Sequence, residues 1–159
     1  MKHFQQDNSY ACGLYSIANA LQNQGIITDY RIEKSKDGNN IGQLNRWLDE
    51  SEENVWLSVI KYDNENPIDI FDLKPDFDTM ENVLWCPFFI VIRSTPSKNH
   101  MIGCRYLKNG SIVVHDSLSE SPIVFSDYSS FEDEYRGKII SFEILRMYDN
   151  QPVVMIKED

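Results

Sequence analysis

Residues 5–21 read QQDNSYACGLYSIANAL, and this stretch decides how the chain is organised. A polar run rich in Asp, Asn and Ser gives way at Cys12 to Leu14, Ile17, Ala18 and Leu21, apolar positions that recur at helical spacing. The spacing predicts a core-facing helix from Cys12 to Gln24, with Gly25 as its stop. A cysteine at the first residue of a helix sits where unpaired N–H groups and the positive end of the dipole favour a thiolate. Gly13 beside it carries no Cβ and is expected to leave room for a substrate backbone. Gln6 stands six residues before Cys12, and its amide is a neutral donor able to address the same oxyanion as the Cys12 N–H. Gln5 is the rival for that role. A helix-start cysteine taken alone is more often a small buried apolar residue, so the reading of Cys12 as a nucleophile depends on the residues around it.

Working outward, Asn39 or Asn40 is expected to cap a second helix over IGQLNRWLDES, where Ile41, Leu44, Trp47 and Leu48 form an apolar stripe. NVWLSVIKY then reads as a strand. The stretch from Asp63 to Asp78 carries two prolines and five aspartates and reads as a surface connection, followed by a short helix near Asp78 to Leu84. CPFFIVIRS is a nearly continuous apolar run suited to a central strand. HMIGCRYL and SIVVHDSL read as two strands joined at Lys108-Asn109-Gly110, a strong hairpin signal. Residues 126–135 are polar and acidic with aromatics, and KIISFEILRMY and PVVMIKE read as the last two strands. Helices in the first third and strands in the remainder predict an α+β domain, 1–159, whose N-terminal helix packs on a central antiparallel β-sheet.

Acyl transfer by a thiol needs a thiolate, an imidazole close to it, a group that orients the imidazole, and donors aimed at the developing oxyanion. His100 opens one hairpin strand and Asp116 ends the next, at similar distances from the Asn109-Gly110 turn. Antiparallel pairing is expected to bring them together. His3, near the terminus, and His115, expected on the opposite face from Asp116, are weaker candidates for the base. Asp127 or Asn99 could replace Asp116.

The run QQDNSYACGLYSIANAL resembles the nucleophile segment of papain-like cysteine peptidases. Its Gln-x5-Cys-Gly pattern is most similar to the bacterial double-glycine-leader (bacteriocin-processing) peptidase domains, and NHMIGCRYLKNGSIVVHDSL is similar to that family's His-strand, turn and strand-Asp segment. The resemblance implies a papain-like fold, a catalytic triad of Cys12, His100 and Asp116, and Gln6 in the oxyanion hole. Leader peptidases usually follow their Asp with Pro. Asp116-Ser117-Leu118 looks more like the His/Asp segment of ubiquitin-like-protein proteases and Josephin-type deubiquitinases, whose Cys-then-His order the Josephin type shares with this chain. Met101 stands where a Trp often follows the His.

Composition narrows the partners. Twenty-five acidic against fifteen basic side chains give a formal charge of −10, which repels phosphate backbones and anionic membranes, so nucleic acid is not expected as a partner. The expected partner is a protein or peptide substrate, and the charge is also that of many proteins that are acidic for solubility alone. No apolar stretch suits a signal peptide or a membrane span, which predicts a cytoplasmic protein or one secreted by a signal-peptide-independent route, without membrane insertion. Cys12, Cys86 and Cys104 form no C-x-x-C pair, and Cys86 and Cys104 sit inside apolar strand patterns that read as core. A zinc site from His100, Cys104 and His115 matches no closed spacing, so neither metal nor cofactor is expected. Trp47, Trp56 and Trp85 read as packing residues. The acidic run from Phe131 to Tyr135 reads as a solvated helix face rather than the lining of a basic-substrate groove.

The leading expectation is therefore a thiol hydrolase cleaving a peptide or isopeptide bond through a Cys12 acyl-enzyme. A ubiquitin-like-protein protease, or a glutamine deamidase or transglutaminase effector, would use the same three residues. A non-catalytic binding module retaining the fold is the alternative outside enzymology.

Overall fold

A computed structural model describes residues 2–68, 77, 83–96 and 98–148. Its elements, in chain order, are α1 (Cys12–Leu21), a 3-10 turn (Gln24–Ile26), α2 (Asp29–Lys34), α3 (Ile41–Glu50), β1 (Val55–Tyr62), β2 (Trp85–Thr95), β3 (Lys98–Leu107), β4 (Ile112–His115), β5 (Ile123–Phe125), α4 (Tyr128–Tyr135) and β6 (Ile139–Met147). The architecture is α+β, with one antiparallel sheet of six strands in the order β1-β6-β2-β3-β4-β5 among the described residues. The helix expected near Asp78 to Leu84 falls mostly outside the described residues, and Val83 and Leu84 lie in neither helix nor strand. The strand expected over Pro152 to Glu158 lies outside them altogether.

Strand alternation gives the sheet two apolar faces. Phe89, Met101, Leu57 and Leu145 point to one, where Leu14, Ile17, Ala18 and Leu21 of α1 and Leu44, Trp47 and Leu48 of α3 cover them. Phe88, Ile90, Ile102, Cys104, Val114 and Phe142 point to the other, beneath Phe131 and Tyr135 of α4. In α4, Asp127 Oδ1 accepts from Ser130 N–H at 2.8 Å and starts the helix, and Phe131 and Tyr135 fall on one face at i and i+4. The run from Phe131 to Tyr135 therefore splits, its two aromatics buried and Asp133 and Glu134 exposed. Burying a ring such as Phe131 contributes about 2 kcal/mol.

Helix α1 ends earlier than the sequence suggests. Gln22, not Gly25, terminates it in the left-handed region (φ 55°), with backbone N–H groups closing on Ala18 and Asn19 carbonyls. The side chains of Gln22 and Asn19 are recruited to hold the N-terminal segment. Asn19 accepts from Phe4 N–H at 2.8 Å and donates to Phe4 O at 3.0 Å, and Gln22 does the same for Lys2 at 2.8 and 2.9 Å. Each amide thus satisfies a backbone donor and acceptor that would otherwise be stranded beside a helix.

Three contacts set α1 along β2 and β3. A Cβ on Gly103 would lie 2.4 Å from the Ser16 carbonyl oxygen, so the helix backbone approaches the strand where only glycine permits it. Ser16 Oγ donates to Met101 O at 2.9 Å, and Trp85 Nε1 donates to Ala20 O at 3.0 Å. The first turn of α1 therefore comes to rest at the end of the sheet where β3 begins. Among the described residues, no helix is long and apolar enough to cross a membrane.

Candidate active site

The loop leading into α1 is organised by Asn8, whose Oδ1 accepts from Tyr10 N–H at 3.1 Å and Ala11 N–H at 2.8 Å. Ala11, at the N-cap, offers no side-chain acceptor. The acceptor comes instead from Asn39, before α3, whose Oδ1 takes Leu14 N–H at 3.1 Å while its amide donates to Ser35 Oγ and Gln43 Oε1. This explains Gly13 differently from its sequence reading: a Cβ there would lie 2.8 Å from Asn39 Cβ and 2.9 Å from its Oδ1. The glycine admits the capping asparagine rather than a substrate backbone. With Tyr15 N–H bonded to Ala11 O, the Cys12 N–H is left without a protein acceptor among the described residues.

Cys12 is half-buried at the first position of α1 and hydrogen-bonds to His100. His100 Nε2 lies 2.7 Å from Asp116 Oδ1, which leaves Nδ1 as the ring nitrogen for the thiol. The hairpin register explains the second contact. Gly103 pairs with His115, so Asp116 comes one step further along, opposite Ile102, and reaches His100 on the diagonal rather than directly across. Leu118 N–H donates to the same Oδ1 at 3.1 Å and holds the carboxylate in its turn.

The three groups shift one another's ionisation. Burial works against the Cys12 thiolate, but hydrogen bonds from His100 and Met101 N–H, the His100 charge and the Gly13 N–H outweigh it and lower the thiol below its ordinary range. Burial likewise opposes the imidazolium of His100, yet hydrogen bonds to Asp116 and Cys12 and their negative charges raise it to about 9. Asp116 is held below the usual carboxylate range despite burial, chiefly by its hydrogen bond to His100 and the charge behind it. The favoured state is a thiolate–imidazolium pair, with a carboxylate behind the ring.

Gln6 is buried and fixed from both sides. Its Nε2 donates to Asn8 O at 2.7 Å, which sets the amide's orientation because a carbonyl only accepts, and its Oε1 accepts from Ser117 Oγ at 2.5 Å. Gln6 N–H also donates to Ser117 O at 2.7 Å. One proton of the Gln6 amide remains for a ligand, on a side chain anchored through Asn8 to the loop that ends at Cys12. Ser117, fully buried, is the residue that sequence reasoning did not single out; its only signal is its place next to Asp116. Gln5 is exposed.

The other candidates lie apart. His115 points to the α1 face, away from Asp116, where Arg105 Nε donates to its Nε2 at 3.3 Å and its Nδ1 meets His3 Nδ1 at 3.0 Å. His3 Nε2 in turn donates to Ser119 O at 2.8 Å, which fixes both tautomers. Burial, then Arg105 and His3, lower His115 to about 3, so it is neutral. Asp127 caps α4, and Asn99, the second residue of β3, lies on the face opposite His100. Cys86 is pushed up to about 12 by burial and Cys104 is also raised, so both are inert thiols in the core. Trp47 and Trp85 are buried, with Arg105 over the Trp85 ring. Among the described residues, no three His, Cys, Asp or Glu side chains converge as a metal site.

No protein-family model matches this chain. No curated protein matches it either.

Proposed function

We propose that the chain is a papain-like thiol hydrolase that cleaves a peptide or isopeptide bond. The observation that carries this reading is a helix-start cysteine with a depressed pKa, bonded to an imidazole whose far nitrogen is held at 2.7 Å by a carboxylate. The resemblance of residues 5–21 and 99–118 to leader peptidases points the same way. In this scheme the Cys12 thiolate adds to the substrate carbonyl, and the oxygen that gains charge is met by the Cys12 N–H and the Gln6 amide. The C–N bond then breaks as His100 gives its proton to the departing amine, leaving a thioester. Water, deprotonated by His100, releases the acid and restores the thiolate–imidazolium pair. Asp116 keeps the ring in position throughout.

The reactive form is populated from the lowered Cys12 pKa up to about pH 9, where His100 loses its proton. Peptide-library cleavage by wild type, with Cys12→Ala as control, tests the assignment: wild type alone is expected to cleave, and indistinguishable profiles would refute it. Iodoacetamide should label Cys12 at pH 6.5 faster than it labels a simple thiol.

A further inference from the structure

We infer that the cleft between the ends of β2 and β6 is a substrate subsite for a carboxylate, placed by Arg93 and Lys138 two to four residues from the scissile bond. The inference rests on the peptidase reading and adds a substrate class to it. The cleft has a volume of about 480 Å³ and lies between the end of β2, the start of β6 and the chain that follows β1. Its place relative to Cys12 follows from register. Met101, whose N–H bonds the Cys12 sulfur, pairs with Val91, and Val91 with Ser141. Two residues towards the sheet end, Asn99 pairs with Arg93, and Ile92 pairs with Ile139, which brings Lys138 alongside Arg93. By strand alternation Arg93 shares the face of Val91 and Met101, the face on which Cys12 lies.

Neighbouring strands are about 5 Å apart, which puts Arg93 about one strand and Lys138 about two strands from the one that carries His100. An extended peptide advances about 3.3 Å per residue, so a side chain a few residues from the attacked carbonyl reaches the pair.

Chemistry then selects the ligand. Arg93 is pre-set: its Nη2 donates to the backbone carbonyl of Asn64 at 2.5 Å and also to the Asn64 side chain, so its plane is fixed before any ligand arrives. Among the described residues, neither Arg93 nor Lys138 has a carboxylate within 4.0 Å, whereas the neighbouring Arg136 is paired with Glu132 and Asp133. Among the described residues, two cations without an acidic partner, one of them bonded to Asn64, thus flank a cleft in a chain of charge −10. Thr95 adds a hydroxyl to the same wall, while Ser94 Oγ donates to Lys98 O at 3.1 Å. Among the described residues, Glu65 on the rim is the one carboxylate that lines the cleft, and it opposes an acidic guest. The shared chemistry is a carboxylate, supplied either by an Asp or Glu side chain or by a peptide's C-terminus.

Tetrapeptide vinyl sulfones that carry Glu, Gln or Lys at each position in turn, with a sulfonyl substituent that ends in a free or an amidated carboxyl to stand for a peptide's C-terminus, test this against the full chain. The rate of Cys12 labelling is read by intact mass. At one position Glu is expected to outpace Gln about fivefold, as two solvent-accessible ion pairs allow. The preference should turn to Lys in Arg93→Glu/Lys138→Glu and strengthen in Glu65→Gln, with iodoacetamide labelling unchanged in all three proteins. A preference that follows the free C-terminus instead assigns the carboxylate to the chain end. Equal rates for Glu and Gln at every position and for both C-termini, or a preference that survives the double charge reversal, overturn the subsite alone. Failure of every peptide electrophile to label a Cys12 that iodoacetamide still reaches overturns the peptidase reading and the subsite with it.

Discussion

His100 and His115 stand on neighbouring strands of one hairpin, both buried, and their protons behave in opposite ways. His100 is raised to about 9 and His115 is lowered to about 3. Burial disfavours the charged ring in both, so the difference comes from what each ring faces. Around His100 a carboxylate and a thiol draw the proton in. Around His115 a guanidinium keeps it out, and His115 relays hydrogen bonds from Arg105 to His3. Glu143 on β6 is a third arrangement: 3% exposed, with Ser141 Oγ at 3.4 Å as its weak donor, it is raised to about 7 by desolvation. Residues similarly hidden from water thus hold or exclude a proton according to burial and the charges beside them.

The largest effect should come from removing the neighbour that separates the two histidines. Asp116→Asn is expected to lower kcat/KM about a thousandfold, because the ring loses the anion that holds its orientation and charge. The alkaline limb of the pH–rate profile should fall from about 9 towards the ordinary histidine range. An unmoved limb would mean that the carboxylate does not control His100.

Glu143 comes next. Its folded pKa lies above the unfolded value of about 4.5, so the native state holds the extra proton between about 4.5 and 7 and loses stability as pH rises through that window. Glu143→Gln should therefore raise the unfolding free energy by about 3 kcal/mol at pH 8 and leave it nearly unchanged at pH 4.5, as read by urea titration. His115→Phe removes the acceptor that faces Arg105 Nε and should cost about 2 kcal/mol of stability, while iodoacetamide labelling of Cys12 keeps its pH profile. A shift in that profile would show that the two histidine regions are coupled.

The smallest effect probes Ser117. Ser117→Ala frees Gln6 Oε1 and should lower kcat about tenfold with little change in KM or in the Cys12 labelling profile, because it loosens an oxyanion donor without touching the thiolate. Ser117→Thr, which keeps the hydroxyl, should restore part of the rate.

Much of this arrangement is legible in the sequence where local signals are strong. The Asn109-Gly110 turn fixes the hairpin that joins His100 to Asp116, and the stripe of Ile41, Leu44, Trp47 and Leu48 marks α3 together with its Asn40 cap. The start of α1 is marked by Cys12 and its end is not, because Gln22 and Asn19 are drawn to the backbone of Lys2 and Phe4, about twenty residues back along the chain. Helix α2 has six residues and Ile32 as its one aliphatic position; Arg31 holds it through Ile26 O and Ser51 Oγ, contacts with no periodic signature. Strand β5 is three residues long and exists by pairing with β4. Asn39 and Ser117 act across 25 and 111 residues of chain, and no spacing rule reaches that far.

That last separation bears on when the thiol becomes reactive during synthesis. Apart from the Gly13 N–H, the groups that lower the Cys12 pKa, His100 and Met101 N–H, lie late in the chain, as does the clamp on Gln6 at Ser117. A nascent segment that ends before β3 carries Cys12 with an ordinary thiol pKa, protonated at neutral pH. Closure of the β3–β4 hairpin against α1 is the folding event that turns it into a thiolate, and such distant contacts form late because the chain must first lose its loop entropy. Ionisation of the sulfur is thereby timed by topology: it waits on the β3–β4 hairpin, about ninety residues further along the chain than Cys12.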